Sequence, residues 1–321
     1  MTTASGAPRA PLRGEKILIT GPAGRVAFPL AARLARENEV WGIARFGRAV
    51  ERAQVEAAGI RTRSIDLSSA VWGDLPTDFT LVLHFAAAIG TSLSFAESIR
   101  INGDGTGHLM NRCRNARACL VASSRAVYAE PLDPDRIQHE SDPLGGDSPP
   151  PYSPTYRVSK LAQEAVASFW AEELRLPTIL TRLNVVYGDN GGLPMMLLEG
   201  MKAGRPVPLG PHGATRAGPI HHDDLFDQLP GLLAGASIPA TIVNWAADEP
   251  VDMRELCIYM ADLTGCEARF VVTSDVSGTR PSDPTLRKRL AGPCRVDWRD
   301  GIRRMIEANH PEWLVEGKSR A

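Results

Sequence analysis

Short, largely apolar runs alternate with longer stretches of helical spacing through the first half of the chain. "KILIT" (16–20) runs into a glycine turn, and "VAFPLAARLAREN" behind it repeats its apolar residues three and four apart. The alternation continues with "EVWGIAR" (39–45), the alanine-rich helical "ERAQVEAAGI", then "IRTRSIDL" and "FTLVLHFAA" (79–87). "ACLVASS" (118–124) and "PTILTRL" (177–183) complete the set, with helical patterns between them. Apolar runs bounded by turn residues predict strands, and the spacing between them predicts helical crossovers. Strands that are apolar throughout belong to a sheet covered on both faces. The predicted class is α/β: a Rossmann-type, doubly wound parallel sheet.

Beyond Leu183 the texture changes. The stretch from Val185 to Leu225 is rich in Gly and Pro, as expected of loops and short elements around a cleft. "ATIVNWAAD" (240–248) reads as one further sheet strand, and the remainder is mostly helical with loops. The expected organisation is a dinucleotide-binding domain over 12–183 plus about 217–247. A smaller, mostly helical substrate lobe would take about 184–216 plus 248–321, and 1–11 would be a loose tail.

Composition narrows the partners. In 321 residues, Lys+Arg number 36 against Asp+Glu 37, which gives no electrostatic reason to expect nucleic acid or an anionic membrane. No apolar run approaches the roughly 20 residues of a membrane span. The polar N-terminus has no secretory pattern. The five cysteines show no C-x-x-C spacing, so reduced thiols in a cytoplasmic protein are expected, without disulfides or zinc. A small-molecule substrate is the expected partner.

The glycine turn carries the first chemistry. "ITGPAGRVAFPL" sets Gly21, Gly24 and Ala27 in a G-x-x-G-x-x-A pattern between a strand and a helix. Gly21 permits the tight turn, Gly24 lets a pyrophosphate approach backbone N–H groups, and the third position needs only a small side chain. At the end of the second strand a carboxylate would hold the ribose 2′-OH of NAD, whereas an arginine suits the 2′-phosphate of NADP. This chain has Ala44 and Arg45 there, with Arg25 in the turn to assist, so NADP is favoured. The alternative is a solvated Arg45 and NAD held through backbone contacts. "IDL" (65–67) would bring Asp66 and Leu67 to the adenine, or use Asp66 as a helix cap.

A second constellation concerns proton transfer. In "SPTYRVSKLAQE", Tyr156 and Lys160 lie one helical turn apart and share a face. A nearby ammonium and a cationic nicotinamide both favour the phenolate of a tyrosine whose ordinary pKa is about 10. Ser153 and Pro154 suit the N-cap and first position of that helix. Ser124, at the C-terminal end of a buried strand, could hold the substrate oxygen, with Ser123 as a structural neighbour.

In the order glycine turn, strand-end serine, Y-x-x-x-K, the chain resembles the extended short-chain dehydrogenase/reductase family, the group of nucleotide-sugar epimerases and dehydratases. "HFAA" (84–87), which includes Ala86, resembles its H-x-A-A. "INGDGT" (101–106) is similar to its N-x-x-G-T, which puts Asn102 at the family's structural or relay asparagine. "SSRAVYA", "RLNVVYGDN", "IHHDDL" and "RPSDPTLRKRLAG" (280–292) resemble S-S-x-x-V-Y-G, R-x-x-N-V-Y-G-P, V-H-V-D-D-V and R-P-x-D-x-x-K-x-x-x-L-G. The resemblance implies that Ser124 and Tyr156 hydrogen-bond a substrate hydroxyl or carbonyl while Tyr156 moves the proton. Lys160 would hold the nicotinamide ribose. It also implies a homodimer paired through helices.

Departures from the pattern shape the substrate. The T-D-E of 4,6-dehydratases is replaced by Ser124, Arg125, Ala126, which removes the carboxylates that drive water elimination. Arg125 meets an anionic substrate group or forms an ion pair. The family's diphosphate-holding asparagine falls at Val185, with Asn184 one position early, and Arg216 lies one place off its expected arginine. Arg280 does match a diphosphate contact. "HHDD" (221–224) coincides with the family's turn and helix start, so no metal is expected. The function expected is NAD(P)-dependent hydride transfer at a carbinol or carbonyl carbon of a sugar-like or small carbonyl compound. The alternatives are a redox-neutral nucleotide-sugar epimerase with tightly held cofactor and, behind it, a nicotinamide-sensing regulator without turnover.

Overall fold

The structure, a computed structural model, describes residues 10–130, 133, 135–146, 153–210, 215–273 and 280–315. The expected tail up to residue 9, and most of the proline run before Ser153, lie outside them.

Seven parallel strands form the central sheet. They are β1 (Lys16–Thr20), β2 (Glu39–Ala44), β3 (Arg61–Ser64), β4 (Leu81–His84), β5 (Ala118–Ser124), β6 (Thr178–Leu183) and, later in the chain, β7 (Thr241–Trp245). Their order is β7-β6-β5-β4-β1-β2-β3, with all six pairings parallel. Connections run one way from β1 to β3 and the other way from β4 onward. The switch between β1 and β4 opens a crevice at the carboxyl ends of the strands, where open α/β sheets hold ligands.

Burial explains the strand composition. All residues of β1 after Lys16 and the first six of β5 are buried, because a hydrophobic layer lies on each face of the sheet. One layer joins Ile17, Ile19, Leu83, Leu120 and Trp245 to helix α1 (Ala27–Leu34) and to α7 (His222–Ala234). The other joins Leu18, Val82 and Val121 to α5 (Tyr156–Glu173). A third core sits off the sheet: α6 (Leu193–Lys202), α8 (Met253–Thr264) and α10 (Trp298–Asn309) pack Leu198, Leu256, Met260, Ile302 and Met305 together.

Between β4 and β5 the chain forms one helical rod. Helix α3 (Phe95–Ile99) starts with a reciprocal cap between Ser94 and Glu97 and passes through a π-helical turn, Arg100–Asp104. It continues as α4 (Gly105–Arg112). The π turn, which inserts an extra residue per turn, carries Asn102.

Candidate active site

Two cavities meet at the glycine turn. The larger, of about 570 Å³, is lined by Gly21, Gly24, Arg25 and Ala27 of the turn and the start of α1. Arg45 follows β2 on its wall, Asp66 and Leu67 follow β3, Ala86 follows β4, and Asn102 comes from the π turn. Every dinucleotide contact expected from the turn and strand ends therefore borders one space. Gly21 has φ +65°, and a Cβ there would lie 3.1 Å from Ala86 Cα. Only glycine fits both the conformation and the approach.

Two expected residues also have structural work. Asp66 caps a 3₁₀ turn, accepting from Ser68 N–H and Ser68 Oγ, and those bonds hold its carboxyl below the usual range. Asn102 Oδ1 accepts from Ala88 N–H at 2.7 Å, and its Nδ2 donates to Ser159 Oγ at 2.9 Å. That amide fastens the β4 loop to α5.

The smaller cavity, of about 260 Å³, is lined by Ser124 and Tyr156 together with Ser123, Asn184 and His222. Arg25 and Val26 line both cavities. Ser124 Oγ accepts from Ala126 N–H at 3.2 Å, which leaves the hydroxyl hydrogen for another partner. Helix α5 starts at Tyr156, two residues later than Ser153 as N-cap would require, with Thr155 at the cap. The Ser153 hydroxyl bonds to Gly90 instead. The Ser153 carbonyl still accepts from Tyr156 N–H at 3.0 Å.

Lys160 lies 5.8 Å from the Tyr156 ring centroid, on the shared face. It is only 2% exposed. Its Nζ donates to Ala122 O of β5 at 2.8 Å and to Gln163 Oε1 at 2.7 Å, and it lines neither cavity. The lysine thus ties the tyrosine's helix to the serine's strand. Gln163 Nε2 in turn reaches Thr106 Oγ1 at 3.1 Å, beside His84. Thr106 donates to the Asn102 carbonyl at 2.6 Å, and its Oγ1 lies 2.8 Å from His84 Nε2, which Gln163 Nε2 also approaches at 3.1 Å. On the other side of the ring Thr20 Oγ1 lies 2.7 Å from His84 Nδ1 and accepts from Ala86 N–H. Both nitrogens of the buried imidazole are thus within hydrogen-bond reach of polar groups. Burial, with the Lys160 charge second, pulls His84 down to about 3, so it is neutral.

Burial also pulls the Lys160 ammonium from 10.5 to about 7, against a smaller upward pull from Glu164. Between those values the unfolded chain binds one proton more than the native chain. This group's contribution to stability therefore rises with pH across the window, by about 1.4 kcal/mol per unit. Thermal melts from pH 7 to 10 should rise more steeply for the native chain than for Lys160→Met. Parallel curves would contradict the buried ammonium.

Three expected substrate contacts sit differently. Arg125 and Arg280 each lie 3.9 Å from Glu130, and Arg157, which sequence reasoning passed over, lies 3.3 Å from it. Neither Arg125 nor Arg280 lines either cavity. Asn184 does line the smaller one, but its Nδ2 donates to Arg280 O and Ser282 Oγ while Oδ1 accepts from Val185 and Gly218 N–H. Those four bonds use the whole capacity of the amide. Asn184 is a staple between β6 and the 280s segment.

The profile of the NAD dependent epimerase/dehydratase family matches residues 17–229. The chain belongs to that family. A trifunctional UDP-glucose 4,6-dehydratase/UDP-4-keto-6-deoxy-D-glucose 3,5-epimerase/UDP-4-keto-L-rhamnose-reductase of Arabidopsis thaliana is 24% identical over 93% of this chain. The chain spans about half of that relative, 48%. A 3-diazoavenalumate denitrifying reductase from Streptomyces is 31% identical over 90% of this chain and 99% of its own length. The solved structure of MoeE5 in complex with UDP-glucuronic acid and NAD superposes with TM-score 0.76 at 24% identity, covering 92% of this chain and 99% of that one. Among the described residues no helix is long and apolar enough to cross a membrane.

Proposed function

We propose that this member of the family is an NAD(P)-dependent oxidoreductase that transfers hydride at a carbinol or carbonyl carbon. The observation that carries the reading is that Ser124 and Tyr156 share a cavity that meets the glycine-turn groove at Arg25 and Val26. The groove suits a dinucleotide: an open glycine turn, a guanidinium at the end of β2 and a carboxylate after β3. When bound, the nicotinamide supplies or accepts the hydride. Ser124 and Tyr156 hydrogen-bond the reacting oxygen, and the Tyr156 phenol gives or takes its proton. Lys160 holds α5 against β5, one turn behind the phenol.

The substrate proposed is sugar-like or a small carbonyl compound. Asn184 and Val185 offer no free amide for a nucleotide diphosphate, and the Streptomyces relative, matched over nearly its whole length, is named as a reductase. The third core, off the sheet, is proposed as the substrate lobe. Phe95 on α3 (53% exposed), with Val158 and Phe169 on α5 (59% for Phe169), supports a homodimer through these helices. A monomer at every concentration in sedimentation equilibrium would exclude it.

Arg45 makes NADP the preferred cofactor in this reading, although Glu51, drawn toward Arg48 at 3.4 Å, shares the wall. Titration followed by fluorescence of the six tryptophans should show NADPH binding about tenfold tighter than NADH, with Arg45→Ala removing the difference. Equal affinities, or tighter NADH, in the native chain would overturn the preference for NADP. A screen of sugar acids, aldoses and nucleotide sugars should then reveal stoichiometric change in nicotinamide absorbance. Turnover without added cofactor, by protein purified with nicotinamide bound, would assign epimerisation.

A further inference from the structure

Arg157 follows Tyr156 in the chain and lines neither cavity. It is the second residue of α5, yet its side chain is only 4% exposed. The guanidinium is shared between two partners. Its Nε donates to Ala126 O at 2.8 Å, and its Nη2 donates to Glu130 Oε1 at 3.3 Å. A further edge packs on Gly146, where a Cβ would lie 3.1 Å from Nη1 and the φ of +109° favours glycine. The planar fork of an arginine suits such a fixed bridge, since its donors keep one mutual geometry.

The first partner joins the arginine to the serine. Ala126 is the middle residue of the 3₁₀ turn Arg125–Val127, and Ser124 caps that turn. The Ala126 N–H donates to Ser124 Oγ at 3.2 Å, while the Ala126 carbonyl takes the Arg157 bond. One residue therefore holds the serine hydroxyl on one side and the tyrosine's helix on the other. Lys160 makes a separate tie, from α5 to Ala122 within β5. The Arg157 tie reaches beyond the strand end, to the turn that aims Ser124. Ser124 and Tyr156 must meet the same substrate oxygen, and a misplacement of about 1 Å can cost 10²-fold in rate.

We propose that Arg157 is a positioning residue that sets the Ser124 hydroxyl against the Tyr156 phenol. The inference rests on the oxidoreductase reading of the same site. The test is a double-mutant cycle of Arg157→Met and Ser124→Ala, read as kcat and KM. It uses the sugar acid, aldose or nucleotide sugar turned over fastest, with whichever of NADPH and NADH binds tighter. Arg157→Met should lower kcat about 30-fold, with KM and cofactor affinity within about twofold of native. In the Ser124→Ala background the same replacement should cost less than about threefold, because the hydroxyl it aims is gone. Arg157→Lys keeps the charge beside Glu130 and lacks the Nε donor. It serves the same cycle if the methionine variant does not fold, and should show the same non-additivity. Losses that multiply across the cycle, or native kcat in whichever variant folds, would make Arg157 a packing residue and overturn the proposal. Native chain that binds neither cofactor and turns over none of the compounds would instead overturn the oxidoreductase reading itself.

Discussion

Tyr156→Phe is expected to lower kcat about 10³-fold while leaving the melting temperature and the NADPH affinity close to those of the native chain. The substitution removes one oxygen and keeps the ring, which is half-buried at the first turn of α5. The backbone there is held by other groups: Ser159 Oγ donates to the Tyr156 carbonyl at 2.9 Å, and Lys160 bridges to Ala122. None of those bonds depends on the phenol. What is lost is proton transfer to or from the reacting oxygen, which contributes typically 10² to 10⁴ in rate. Ser124 remains and still binds that oxygen, so KM should move much less than kcat. A variant with native kcat would remove the tyrosine from the reaction. A variant with a strongly lowered melting temperature would make it a packing residue.

The strands were the most legible part of the chain. "KILIT" and "ACLVASS" are β1 and β5 to the residue, because each is an apolar run closed by the turn that builds the site. "FTLVLHFAA" overshot. The strand ends at His84, and the chain then leaves the sheet so that Ala86 N–H can bond Thr20 and wall the groove. An apolar run cannot show that departure, since Phe85 and Ala86 pack on the neighbouring cores.

The site was legible where backbone form and chemistry coincide, as at Gly21, Ser124 and Tyr156. It was not legible where side chains spend their polar atoms on the protein. Asn184 and Asp66 carry the right groups in the right stretches, and only coordinates show the four bonds of one and the 3₁₀ cap of the other. His222 starts α7, as its motif suggested, and its burial beside Gly188 and the Arg25 backbone is a property of tertiary packing. Gln163, which links Lys160 to Thr106, carries no sequence signal at all.

Glu164→Gln should destabilise the chain by about 3–5 kcal/mol, the cost of leaving a buried charge without its partner. Glu164 lies on α5 one turn beyond Lys160. Its carboxylate takes two bonds from Arg182 of β6, at 3.0 and 2.8 Å, and one from Ser123 Oγ at 2.5 Å. Both members are nearly dry, with side-chain exposures of 2% and 7%. Arg182 also donates to Glu140 O at 2.9 Å and stacks over Tyr128 at 4.7 Å, so its guanidinium cannot swing out to water. Glutamine keeps the shape but cancels the charge. The denaturant midpoint should therefore fall with an unchanged m-value. Arg182→Met combined with Glu164→Leu removes both charges and should be less destabilised than the single variant, as the energetics of buried pairs require. The register pairs Ser123 with Arg182 and Ser124 with Leu183, so this ion pair also fixes the strand end that presents Ser124. Loss of the Glu164 charge removes the one upward pull on Lys160 as well. The rise of stability with pH should then begin at lower pH in Glu164→Gln than in the native chain, and an unshifted onset would separate the carboxylate from the lysine.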